Sequence, residues 1–100
     1  METPEGFELA GIIGVDAAQV LIGGACCLIG SDRVPADWET WHKLLTDQGY
    51  FDGPGYKQLD MGVVVSSGRG DGEYPVYVKR AEIPDWFPGP RVQEVRIIFF

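Results

Sequence analysis

The residues best suited to chemistry in this sequence gather between Ser66 and Tyr77, in the string SSGRGDGEYPVY. Glycines alternate with Arg69 and Asp71 across Gly68 to Gly72. The backbone there is free to take positive φ and turn its N–H groups outward, a geometry that cradles anions. Arg69 and Asp71 would project from the tip of such a turn, with Ser66, Ser67, Tyr74 and Tyr77 on its stems. Together these groups can hydrogen-bond ribose or phosphate and stack a base on tyrosine. The competing reading is a glycine-rich hairpin turn in which Asp71 caps its own backbone. A P-loop is excluded, because no Lys-Ser/Thr pair and no helix follow. A second cluster, Asp85-Trp86-Phe87-Pro88-Gly89-Pro90, offers Trp86 as an aromatic lid or stacking surface. Its alternative is a pair of aromatics folded back to plug the open end of a sheet.

The inventory for catalysis is short. His42 is the single histidine and sits beside the apolar stripe of the expected helix, which suits a surface or boundary role. Cys26 and Cys27 are adjacent; on a strand their side chains would point to opposite faces, so they neither pair nor converge on one metal. One thiol buried and one half-exposed is the expectation. The carboxylates show no spacing typical of acid/base pairs or metal loops. These residues argue for a binding module without cofactor, not an enzyme.

The elements that must position them read as many short strands. Phe7 to Val15 is a first strand ending at Asp16-Ala17-Ala18. Val20 to Ile22 and Cys26 to Ile29 read as a hairpin around Gly23-Gly24. One helix is expected from about Pro35 to Asp47, with Asp37 and Glu39 at the positive end of its dipole. Trp38, Trp41, Leu44 and Leu45 form its apolar stripe. Tyr50 to Tyr56 reads as a Gly/Pro/aromatic loop and Met61 to Ser67 as a β-branched strand. Glu73 to Ile83 alternates, with Pro75 demanding an edge or a bulge. Arg91 to Phe100 is a last strand, with Val95, Ile97 and Phe99 inward. The predicted fold is one α+β domain over 1–100, a curled antiparallel sheet or open barrel of six to seven strands with one amphipathic helix packed on it.

The Ser66–Tyr77 string resembles the signature T/S-G-x-G-D-G-x-Y-P-V-Y of an uncharacterised family of small proteins of bacteria and their phages. The final RVQEVRIIFF is similar to the strand on which those proteins finish. Upstream, Gly14 to Cys27 (GVDAAQVLIGGACC) is similar to the family's opening, usually G-V-D-A-G-x-x-x-I-G-D-P-C-Y. Gly24-Ala25 stand where the family has Asp-Pro, and Cys27 where it has Tyr, so no role of those residues carries over. The resemblance implies fold and a bacterial or phage origin; it attaches no activity.

Charge narrows the partners. The formal net charge is −7. Residues 1–56 hold nine acidic side chains against Arg33 and Lys43, while residues 57–100 hold six of each sign. No basic stripe is present to displace counterions from duplex DNA. The first residues lack a basic n-region, and the apolar stretch from Gly11 to Gly30 is broken by Asp16, Gln19 and three internal glycines. Neither a leader nor a membrane span is expected, and the location expected is the cytoplasm (that of the host if phage-encoded). The function these features suggest is sequestration of a small nucleotide-like ligand by an oligomeric protein, with Ser66, Ser67, Arg69, Asp71, Tyr74, Tyr77 and Trp86 as the site. For a phage protein the ligand could be a host immune signal, since a sponge needs only affinity. The alternative is an acidic inhibitor that occludes a basic surface on a host protein.

Overall fold

In a computed structural model, which describes residues 3–30, 32–82 and 89–100, the strand patterns resolve into two antiparallel sheets of three strands each. The elements run β1 (Glu8–Val15), β2 (Gln19–Ile22), α1 (Ala25–Leu28), α2 (Trp38–Asp47), a 3-10 turn (Tyr50–Asp52), β3 (Tyr56–Leu59), β4 (Gly62–Ser66), β5 (Gly72–Glu82) and β6 (Pro90–Ile97). One sheet has the order β1-β5-β6 and the other β2-β4-β3, and they do not close into a barrel. The α+β class read from the sequence holds.

Helix α2 begins where its cap dictates. The Asp37 carboxylate accepts from the Thr40 backbone N–H at 2.8 Å and from the Thr40 hydroxyl at 2.9 Å. These bonds hold its pKa below the usual carboxylate value and satisfy an otherwise orphaned donor of the first turn. The helix therefore starts at Trp38, three residues after Pro35. It lays Leu45, fully buried, over the β2-β4-β3 sheet, where Tyr50, Leu59, Met61 and Val64 complete the core. Trp41 and Leu44 pack against that cluster, but Trp38 stays 51% exposed. The expected four-residue stripe is thus narrower than drawn, because four- and five-residue strands make a sheet too small to cover it.

Cys26 to Ile29 is not a strand, and no hairpin forms around Gly23-Gly24. The chain leaves the sheet at Gly23 and makes one helical turn, with Cys27 N–H bonded to the Gly24 carbonyl at 2.9 Å and Ile29 N–H to Ala25 at 2.9 Å. The turn drops Cys27 and Leu28 onto the core and leaves Cys26 exposed. A methyl group on Gly62 would overlap the Ile22 carbonyl, so the end of β2 and the β3–β4 turn approach backbone to backbone. The stretch after the aromatic loop supplies strand β3, which the sequence reading left unassigned; its Leu59 pairs with Gly62 of β4.

Pro75 lies in the central strand of the first sheet. It faces Ile12 of β1, but the ladder with β6 begins only at Val76, opposite Ile97. At Pro75 the strand is therefore an edge on the β6 side, which is what a residue without N–H requires. Val95 does not point into a core: it is 63% exposed, with Ile97 and Phe99 half-buried. Among the described residues no helix is long and apolar enough to cross a membrane.

Candidate functional site

The glycine turn forms as expected, with Gly68, Gly70 and Gly72 at φ 64, 90 and 153°. The side chains of Asp71, Ser67 and Tyr74, however, are bonded within the protein. The Asp71 carboxylate accepts from the Ala18 backbone N–H at 2.9 Å, and the Ala18 carbonyl accepts from Ser67 N–H at 3.0 Å. Ser67 is fully buried and its hydroxyl donates to the Gly70 carbonyl at 2.6 Å; the buried Tyr74 hydroxyl donates to the same oxygen at 2.7 Å. Three of the seven candidate residues thus shape the turn and fasten it to the β1–β2 turn, so that two stretches 53 residues apart meet in space. The fastening also holds Ala18 at φ 57°, the single positive-φ position outside glycine among the described residues.

The other candidates disperse. Arg69 is exposed at the tip. Tyr77 is buried on the opposite face of β5 from Tyr74, beside Leu9, Ile12, Pro75 and Phe100. Tyr77 lines a shallow cleft of about 270 Å³ there, and Ser66 opens onto a separate one of about 330 Å³ walled by Ala17, Ala18, Gln19, Tyr50, Phe51, Gly53 and Gly55. Trp86 lies outside the described residues. Burial raises the Tyr50 phenol pKa, and a hydrogen bond with Ser66 opposes the shift.

A further cleft, of about 350 Å³, adjoins that of Ser66. It is lined by Leu21, Val34, Pro35, Ala36, Asp37, Trp38 and Trp41, and shares Ala17 and Gln19 with it. Gln19 is the partition: its side-chain carbonyl accepts from the Trp41 indole N–H at 2.9 Å. Along the rim, Trp38, His42 and Phe51 form a ladder, with ring centroids 6.1 Å apart for Trp38–His42 and 4.9 Å for His42–Phe51. Phe51 in turn meets Tyr50 edge-on at 5.1 Å. Trp38 and Phe51 each leave about half of their surface to solvent, 51% and 49%. Sequence reasoning placed Trp38 in the core and Phe51 in an undifferentiated loop. The aromatic content of both segments was the available signal.

A larger cavity of about 490 Å³ lies at the C-terminal end of α2, between Arg33, Gln48, Gln58, Asp60, Leu44, Leu59 and Met61. Among the described residues that line it there is no aromatic ring. His42 is exposed and flanked by Trp38 and Phe51, and both cysteines are free thiols. Among the described residues no three His, Cys, Asp or Glu side chains gather as they would around a metal ion. No family model matches the chain, and neither a curated protein nor a solved structure matches it.

Proposed function

We propose that the protein is a binding module that captures a small, planar, nucleotide-like ligand in the double cleft around Gln19. The observation that carries this reading is the aromatic rim: Trp38 and Phe51, half-exposed, flank two adjoining clefts whose partition bears a hydrogen-bonding amide. Each cleft is within the size range of small-molecule sites, and half-exposed rings in such a setting stack bases at about 1–3 kcal/mol each. The Ser66 hydroxyl and the Gln19 amide supply polar contacts for a base edge or ribose, and Arg69, exposed on the adjoining turn, supplies a cation for a phosphate. The excess of acids in residues 1–56 favours a ligand held by stacking over one held by many phosphates. In this reading the Ser66–Tyr77 turn gives Ser66 to the wall of the site and, through Asp71 and Ser67, fastens Ala18 in the same wall. Sequestration of a host nucleotide signal by a phage-encoded protein fits the same chemistry, because it requires affinity and no turnover.

Calorimetry of the purified protein against cyclic dinucleotides, ADP-ribose derivatives and free nucleotides tests the proposal. Binding by at least one of them is expected, with about a tenfold or greater loss in Trp38→Ala or Phe51→Ala. Silence across the panel, or full affinity in both variants, overturns it.

A further inference from the structure

The partition between the two clefts has a polarity that selects a base. Gln19 is half-buried on β2, opposite Ser66 of β4, and its side chain lines both clefts. Trp41 packs against the core, which makes its indole a fixed point. An indole N–H donates and cannot accept, so the atom facing it at 2.9 Å is the amide oxygen, Oε1. The two hydrogens on Nε2 are left for another partner. Among the described residues nothing accepts from them, and no buried side-chain nitrogen or oxygen there lacks a partner. Nε2 is therefore open to the space that Gln19 walls.

An amide held in that sense asks its ligand for acceptors. Guanine presents two, O6 and N7, side by side on one edge. Adenine has an amino group in place of O6 and meets the amide with a donor. A second wall group points the same way. The Asp37 carboxylate lines the cleft of about 350 Å³ together with Trp38. Its bonds to Thr40 hold its pKa below the usual carboxylate value, and Thr40 supplies two hydrogens, from its N–H and its hydroxyl. A carboxylate has about four lone-pair sites, so those left can accept from the ring N–H and the 2-amino group of guanine. Trp38, 51% exposed, gives a purine more face to cover than a pyrimidine can use.

We infer that the cleft beside Trp38 takes a guanine-type base, its keto edge set against the Gln19 amide, with Trp41 as the positioning residue that fixes the amide. The inference rests on the nucleotide reading of the double cleft and adds the choice of base to it.

Calorimetry with matched guanine and adenine ligands, the nucleoside monophosphates and the cyclic dinucleotides, tests it; each pair carries the same phosphates, so the difference reports the base. The guanine member should bind about tenfold or more tightly, the effect of a donor left unpaired at the site by adenine. Inosine monophosphate keeps O6 and N7 without the 2-amino group and should stand closer to the guanine compound than to the adenine one. Trp41→Phe removes the indole N–H and lets the amide turn, so the preference should fall to about threefold or less. Gln19→Glu still accepts from the indole but offers the ligand no donor, and should erase or invert the preference. It serves as the second probe should Trp41→Phe lose the circular dichroism of the folded chain. An adenine ligand that binds as tightly as its guanine match overturns the inference. So do guanine ligands that fail to bind, or a preference that survives both substitutions. The double-cleft reading stands in each of these cases if any nucleotide loses affinity in Trp38→Ala or Phe51→Ala, and falls if none binds.

Discussion

Replacing Asp71 with alanine removes the one side chain that ties the glycine turn to Ala18, 53 residues upstream. A shielded hydrogen bond to a carboxylate contributes about 1.5–3 kcal/mol. Asp71 is exposed, so solvent competition lowers this to about 1–2 kcal/mol. The bond also offsets the left-handed backbone of Ala18, which costs an alanine roughly 1–2 kcal/mol. Asp71→Ala should therefore lower the thermal midpoint by roughly 5–15 °C for a domain of this size, read by far-UV circular dichroism alongside urea unfolding. Adding Ala18→Gly should return about 0.5–1 kcal/mol, since glycine takes that φ without strain. A variant with unchanged stability that nonetheless loses ligand affinity would refute the reasoning, because Asp71 would then be serving the ligand and not the turn.

Two further outcomes test the frame around the site. Asp37→Ala should shorten or fray α2 and lower the thermal midpoint at neutral pH. The folded-state pKa of Asp37 is depressed, so its contribution is fully present above the ordinary carboxylate pKa near 4 and fades as pH falls through the folded value. Melting curves of wild type and variant should accordingly converge in acid; a gap that persists at low pH would show that the carboxylate charge is not what caps the helix. Gly62→Ala should cost at least the ~1–3 kcal/mol of an overpacked interior, because its methyl group meets the Ile22 carbonyl. Gly14→Ala, with open space around it, should be close to neutral; equal stabilities for the two would contradict the close approach of β2 to the β3–β4 turn.

The sequence made the strands legible wherever a long periodic or β-branched run existed, as in Met61–Ser67 and Glu73–Ile83. It failed at Cys26–Ile29, where four apolar residues suit a strand and a helical turn equally and only the crowding at Gly23 and Gly62 decides. Strand β3 escaped notice because Tyr56–Leu59 is short and polar, and its partner β4 supplies the pairing. The inward assignment of Val95 assumed a covering layer, and among the described residues none lies over it: Val95 is 63% exposed. At the site, the glycine spacing disclosed a positive-φ turn, but not that the Asp71 carboxylate would be taken by an N–H from the opposite end of the chain. The aromatic rim was hidden for a related reason. Trp38 shares a helical stripe with Trp41, and only the width of the sheet beneath decides which of them is covered.

The most direct test of the binding function is mass spectrometry of the small molecules released when protein purified from its native cellular background is denatured, run in parallel on wild type and Trp38→Ala. The account predicts a nucleotide-like compound in the wild-type extract that is missing or strongly depleted in the variant. Extracts that do not differ would contradict it.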